Sequence, residues 1–296
     1  MENQETKGKD WYNKWYKIML LIPLIIFIIS LVYLGIFYKA HGDLFFKDSS
    51  LAGGSTFTIN GDIDYLSLED SLKEKFEDVN VREIKDLGTG ESIAVIVDSS
   101  AQPEDLEQEI ESILGYELTD ENSSIEFTGP SLSKNFYKQF LIAIIFSFIL
   151  MSLTIFFLFK TFIPSIAVIF AAFADIIMTI ALVDVLGVKL SAAGIAAFLM
   201  LIGYSVDTDI LLTTRVLKKS EGSVNQRIYG SFKTGIFMTI TGLLAVLPAF
   251  FIITTLPDSF RQIFLILSIG LLADILNTWF TNASIIKWYA DSKGIK

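Results

Sequence analysis

The sequence predicts a polytopic α-helical membrane protein: six transmembrane helices, with one small α+β domain inserted after the first. Three observations carry this. The 296-residue chain is 52% hydrophobic, holds 25 Phe and has a mean hydropathy of +0.54, values foreign to disordered chains and to ordinary soluble domains. Its apolar residues gather into runs long enough to cross about 30 Å of hydrocarbon. Its charge is segregated: residues 40–137 carry 22 acidic and 6 basic side chains, leaving 11 acidic and 17 basic elsewhere, for a net charge of -10.

The same composition excludes several functions. With no cysteine there are no disulfides, thiol nucleophiles or cysteine metal ligands. The single histidine, His41, lies just after the first apolar run, so a histidine metal cluster or a Ser-His-Asp triad is not expected. The acidic block repels nucleic acid, and DNA or RNA binding is not expected.

The first span is the uncharged run Ile18–Tyr38, preceded by Lys14 and Lys17. It is too long for a signal-peptide apolar region and no small-residue cleavage pattern follows, so it reads as an uncleaved anchor. Pro23 falls in its first turns, where proline is tolerated. Five further spans are expected near residues 139–159, 163–184, 191–213, 234–255 and 261–283. They are separated at Lys160 and Pro164, Asp184 to Lys189, Arg215 to Lys233, and Leu256 to Asp258. The chain thus divides into an N-terminal tail (1–17), the first span (18–38), an external domain (39–137), five spans (138–285) and a C-terminal tail (286–296).

Short-loop lysines and arginines set the orientation. The N-terminal tail, the Lys160 turn, the 214–233 loop and the C-terminal tail hold 4, 1, 5 and 3 basic residues, and an even number of spans puts all four on one side. The opposite short loops hold only Lys189 and Arg261. Both termini are therefore expected in the cytoplasm and the acidic domain outside the cell membrane.

Within the external domain, residues 55–59 alternate as a strand. Ser67 followed by Asp70 resembles a capping box opening a helix with Leu68, Leu72, Phe76 and Val79 on one face. Val81–Leu87 and Ser92–Val97 read as strands joined through Gly88-Thr89-Gly90. Pro103 opens a second helix with Leu106, Ile110, Ile113 and Leu114 on one face, and Ile125–Phe127 read as the last strand. The order is βαββαβ, a ferredoxin-like unit. No convergent pair of its carboxylates suggests catalysis.

Several motifs occur together: Gly53-Gly54 before a strand, the βαββαβ order, Thr128-Gly129-Pro130-Ser131-Leu132 ahead of the second span, and Gly203-Tyr204-Ser205-Val206-Asp207 late in the fourth. Over essentially its whole length the chain resembles the SecF branch of the SecD/SecF protein-export family, with the Gly-Tyr-Ser signature the most specific element. Asn277-Thr278-Trp279 and Asn282, followed by Trp288-Tyr289, are more similar to archaeal than to bacterial members. The resemblance implies a fold shared with the resistance-nodulation-division (RND) transporters and a heterodimer with SecD. It also implies association with the SecY channel, and use of the proton gradient to help draw unfolded secreted polypeptides outward. No covalent catalysis, cofactor or metal is implied.

Ionisable residues inside spans are functional candidates, facing protein, water or a partner rather than lipid. Here these are Asp175, Asp207, Asp209 and Asp274, with no basic residue deep in any span. A carboxylate in such a place is the group a proton relay uses. Ala193, Ala196, Met200, Gly203 and Asp207 follow three- and four-residue steps, a narrow stripe suited to close helix contact, so Asp207 is expected in an interhelical seam. Asp209 lies roughly 200° around the helix from it, sharing a face with Phe198, Ile202 and Ser205.

In bacterial relatives Ile-Asn-Asp-Thr typically follows the Gly-Tyr-Ser motif, where this chain has Val206-Asp207-Thr208-Asp209; Asp207 matches the aspartate of the SecD version. Lys233-Thr234 resembles the Arg-Thr that opens the fifth span of bacterial members, an arginine implicated in proton coupling, although lysine lacks the planar guanidinium fork. Asp175 matches the aspartate of a His-Asp pair, with Ala174 in place of the histidine. Asp274, near Asn277 and Thr278, reads as part of a polar seam. Gly129-Pro130 is a rigid break that could serve as a hinge. Trp11, Trp15, Tyr16, Trp279 and Trp288 read as interface anchors.

The leading functional reading is a proton-coupled auxiliary subunit of the Sec translocase. The alternatives are a passive scaffold for SecD and the SecY channel, and a half-sized small-molecule exporter. Replacing Asp207 by Asn separates the first two, and a specific small ligand would favour the third.

Overall fold

The computed structural model describes residues 12–76, 78–86, 89–218, 222–252 and 258–295. Trp11, the Leu87-Gly88 part of the expected hairpin turn and the Leu256-Pro257 turn lie outside them.

Among the described residues, six helices are long and apolar enough to span a membrane. The first span covers Tyr12–His41. A turn at Leu20, three residues before Pro23, separates a short N-terminal stretch from the main helix α1 (Leu21–His41). Gly42 ends α1 in the left-handed region at φ 77°, its N–H donating to Tyr38 O at 2.8 Å, a glycine-dependent stop.

The small domain follows: α2 (Ser49–Ala52), β1 (Gly54–Asn60), α3 (Tyr65–Lys73), β2 (Asn80–Lys85), β3 (Ser92–Ser99), α4 (Pro103–Leu114) and β4 (Ser123–Thr128). The sheet order is β2-β3-β1-β4, with all three neighbouring pairs antiparallel. The helix expected to open at Ser67 begins two residues earlier. Asp64, extended, is its N-cap and accepts from Ser67 Oγ at 2.6 Å, so the acid caps and the serine donates. One sheet face is dry: Phe57, Ile59, Val95 and Val97 pack on Leu68 and Leu72 of α3 and Leu106 and Ile110 of α4, all nearly inaccessible. Burial of that size, about 2 kcal/mol per large side chain, gives the domain its own core. On the other face Ala94 and Ile96 cluster with Ile84. There Arg82, Ile84 and Ile96 look across a cavity of about 270 Å³ toward Val188, Phe250 and Arg261 of the bundle.

Two glycines make the entry into this sheet. Gly53 has φ 90° and Gly54 φ 135°, and a Cβ on Gly54 would fall 2.2 Å from Ser99 O on the paired strand. The Gly53-Gly54 motif is thus explained by backbone sterics.

The remaining helices are α5 (Pro130–Phe159), α6 (Phe162–Val185), α7 (Ala192–Lys218), α8 (Val224–Ile252) and α9 (Asp258–Leu276). A π-helical turn (Asn277–Asn282) and α10 (Ala283–Ser292) continue α9. α6, α7 and the last span are mostly buried inside the chain, whereas the most apolar stretches of α5 and α8 hold few buried residues and lie at its periphery. The helices outrun their apolar runs, because polar residues continue a helix past the hydrocarbon. The largest excess is at the C-terminus. Residues after 285 were expected as a tail; instead Ile286 and Ala290 are buried with Leu212, Val216 and Ile228. Ser284 Oγ donates to Tyr16 O at 2.8 Å, so the first and last spans meet at one end of the bundle. The sheet domain sits at the other.

Two expected interface anchors are corrected. Tyr16 is buried, and Trp279 is 4% exposed, its ring edge-on to Phe232 at 5.2 Å. A Cβ on Gly235 would lie 2.3 Å from that indole, so the glycine is the space the tryptophan fills. Gly235→Ala is expected to destabilise the bundle by about 1–3 kcal/mol, seen as a lower melting temperature in detergent. Gly230→Ala, one turn away with open space around it, serves as the mild control. Trp15 and Trp288 remain exposed, as interface residues do.

Candidate functional site: a seam of buried carboxyls

Three carboxyls, Asp175 of α6, Asp209 of α7 and Asp274 of α9, are each 0% exposed where these three helices pack together. They lie well inside the apolar spans Phe162–Val185, Ala192–Lys218 and Phe260–Ser292, where lipid would offer no hydrogen bonds. Asp175 accepts from Ser205 Oγ and, at 2.7 Å, from Asn277 Nδ2. Asp274 faces Thr208 Oγ1 at 3.0 Å and accepts from Thr278 Oγ1 at 2.9 Å. Asp209 Oδ1 accepts from Asn282 Nδ2 at 2.7 Å, while its Oδ2 has no hydrogen-bond partner among the described residues. Thr208 Oγ1 also lies 2.8 Å from Ser205 O, so the Asp175 and Asp274 clusters abut along α7.

The partners are hydroxyls and amides. Among the described residues no lysine or arginine forms a hydrogen bond or ion pair with any of the three carboxyls. Each carboxyl is therefore held by neutral donors in an interior where an uncompensated charge is expensive. Such a group can exchange a proton without breaking an ion pair.

The π-helical turn supplies three of these five donors, Asn277, Thr278 and Asn282. An α-helix continuing from Asp274 repeats a face every three to four residues. Here Ala283 N–H reaches back to Thr278 O, a five-residue step. The widened turn brings Asn277, Thr278, Thr281 and Asn282 all inward, each at most 1% exposed. π-turns are found at functional sites disproportionately.

The expectation for α7 is corrected. Asp207 is not in a seam of this chain: it is exposed, as are Met200 and Gly203 of its stripe, and Tyr204 is 51% exposed. The inward face is the one carrying Asp209, with Phe198, Ile202, Ser205 and Thr208 all at 5% or less. Polar demand decides the rotation. In a membrane there is little hydrophobic drive between helices, and the face with Ser205, Thr208 and Asp209 has three polar groups to satisfy against one on the other.

Lys233 is also exposed. The cation that engages the start of α8 is Arg215, which donates to Gly230 O and Thr234 Oγ1 at 2.9 Å each. Gly129 stands between β4 and α5, and its carbonyl accepts from Leu132 N and Ser133 N at 3.0 Å, so α5 grows directly out of the sheet. Sequence reasoning did not pair Asp209 with Asn282 or Asp175 with Asn277. The spacing Asp274, Thr278, Asn282 and Asp274, Asn277, Thr281 would have shown one polar face on the last span.

The family described as "Protein export membrane protein SecD/SecF, C-terminal" matches residues 110–292. The protein-export membrane protein SecF of Methanothermobacter thermautotrophicus is 38% identical over 95% of both chains. Its namesake from Methanocaldococcus jannaschii is 34% identical over 93% of this chain and 96% of its own. Among solved structures, the translocon-associated membrane protein SecDF of Thermus thermophilus superposes with a TM-score of 0.76 at 17% identity. The match covers 94% of this chain and 38% of that one.

Proposed function

Because the chain belongs to the SecD/SecF family of protein-export membrane proteins, we propose that it is a proton-coupled auxiliary subunit of the Sec translocase. In this reading it is one half of a pair, and SecD supplies the other. The solved SecDF chain supports this, since the present fold accounts for 38% of its length. Both termini face the cytoplasm, and the sheet domain, a ferredoxin-like unit by its strand order, faces outward. The SecY channel and an emerging unfolded polypeptide are its working partners.

The observation that carries the coupling is the seam itself: Asp175, Asp209 and Asp274 buried together without a basic partner. A proton arriving on one of them changes which of Ser205, Thr208, Asn277 and Asn282 must donate, and so changes the packing of α6, α7 and the π-turn. Asp207 belongs to a second surface. A carboxylate on the outward face of a span requires a polar partner, and the SecD half is the one that provides it. Lys233, exposed in the N-terminal third of α8, is read as belonging to that surface or to the lipid interface.

A scaffold reading has one observation in its favour. Asp175 is fully clasped by Ser205 and Asn277, as a purely structural carboxyl would be. It predicts that Asp→Asn variants export normally.

The first test is isolation of the tagged full-length chain from its native membrane in mild detergent, with mass spectrometry of co-purifying proteins. SecD and SecY are expected. A homo-oligomer lacking both overturns the reading and favours an independent exporter.

A further inference from the structure

One joint between the sheet domain and the bundle runs through a buried carboxyl that the relay does not use. Asp48, 7% exposed, caps α2. Its Oδ1 accepts from Ser50 N at 2.9 Å and Ser50 Oγ at 2.6 Å. The same Ser50 Oγ accepts from Ala192 N, the first residue of α7, at 2.8 Å. The backbone repeats the link: Asp48 N donates to Leu190 O at 3.0 Å and Leu190 N to Phe46 O at 2.7 Å. Movement of the sheet domain away from the α6–α7 turn therefore has to break the Asp48–Ser50–Ala192 clasp.

We propose that Asp48 is a proton-binding switch in this joint, closing it when neutral and loosening it when charged. The charged groups around it explain the sense. Asp98 of β3 and Glu126 of β4 both act on Asp48 with like charge. The cations near it are engaged elsewhere. Arg82 of β2 and Lys189 of the α6–α7 turn both pair with Asp98, at 2.9 and 3.8 Å, and Lys47 pairs with Asp43 while lying over the Tyr137 ring of α5. A neutral carboxyl keeps its carbonyl oxygen as the acceptor for both Ser50 bonds and removes a buried charge facing two others.

Burial, the largest influence, pushes the Asp48 carboxyl up to about 7; the Ser50 bonds act against this, and the charges of Asp98 and Glu126 add to it. The joined state thus binds the proton more tightly than the separated one. By linkage the penalty on joining is absent below the usual carboxylate range, grows as pH rises, and is complete above about 7. With the sheet domain on the acidic side of a proton gradient, the gradient itself would hold the joint closed.

The chain has no cysteine, so two spin labels can be placed without other changes. Full-length protein in lipid nanodiscs, labelled at cysteines replacing Asp120 of the sheet domain and Leu186 of the α6–α7 turn, is measured by pulsed electron paramagnetic resonance from about pH 5 to about pH 9. One narrow distance is expected at acid pH, with longer and broader distances above about 7. Asp48→Asn is expected to keep the narrow distance throughout. A distribution indifferent to pH, or a pH response surviving in Asp48→Asn, overturns the proposal. Should that variant fail to fold, Asp98→Asn decides. Loss of the neighbouring charge must move the transition to lower pH, and an unmoved midpoint overturns it. The readout is a distance, so its failure is separate from any failure of the export reading.

Discussion

Asp209→Asn will reduce proton-dependent export by tenfold or more while leaving the protein's abundance in the membrane unchanged. The substitution is nearly isosteric, and an amide at this position can still accept from Asn282 through its carbonyl oxygen. Its second atom meets Asp209 Oδ2's surroundings, where the described residues offer no donor to lose. What disappears is the ability to carry a proton. Pulse-labelling of a secreted protein, in cells whose only copy is the variant, measures this with and without an uncoupler. The native protein is expected to slow sharply on uncoupling, and Asp209→Asn to be slow already and indifferent to it. Asp274→Asn is expected to behave alike, because Thr208 and Thr278 can donate to its amide oxygen as they do to the carboxyl. Unimpaired, uncoupler-sensitive export in both variants would leave the scaffold reading standing.

Gly54→Ala is expected to unfold the sheet locally, at a cost of about 3 kcal/mol or more. Two effects add. The backbone at φ 135° is one that L-residues rarely adopt, and the new methyl would lie 2.2 Å from Ser99 O and 2.8 Å from Ser100 Cα. Both neighbours are backbone, held by the β1–β3 pairing of Ser55 with Ser99, so no rotamer change relieves the contact. Hydrogen exchange of the full-length chain in detergent will show β1 and β3 amides losing protection while α6 and α7 keep theirs. Gly61→Ala separates the two effects: φ is 128° there but nothing lies within 4 Å, so strain acts alone and the loss is smaller. Equal losses would show that the close approach to Ser99 is unimportant.

The architecture was largely legible in the sequence because its signals are coarse and redundant. Six apolar runs, a charge boundary at each end of the acidic block, and period changes inside it leave little freedom in element order. The candidate site was legible in composition but not in geometry. Asp175, Asp209 and Asp274 stand out as carboxylates in apolar runs. Which way α7 turns could not be read, because it offers two polar faces, one with Gly203 and Asp207 and one with Ser205 and Asp209. The choice is made by partners on other helices: Asn282 donates to Asp209, while Ser205 and Thr208 reach Asp175 and Asp274, and all three of these α7 residues lie on the second face. Trp279 was misread for a related reason. Its position near a span end matches an interface anchor, and only the bare Gly235 opposite it reveals a socket. The role of Asp48 depends on contacts with residues more than a hundred positions away, which no local pattern encodes.

The widened turn at Asn277–Asn282 holds one residue more than a regular helix would need to cover the same height. Segments of this kind tolerate exchange better than they tolerate a change of length. Substituting Asn277 removes donors at one place. Removing any single residue from the six restores the ordinary winding and turns everything downstream by about 100°. Ile286 and Ala290 would then leave the surface they share with Leu212 and Val216. Lys287, now 6% exposed and paired with Asp291 at 2.6 Å, would be carried to a new azimuth. Among natural relatives this stretch is therefore expected to keep its length, and a one-residue gap there would mark a chain whose last helix has been refitted as a whole.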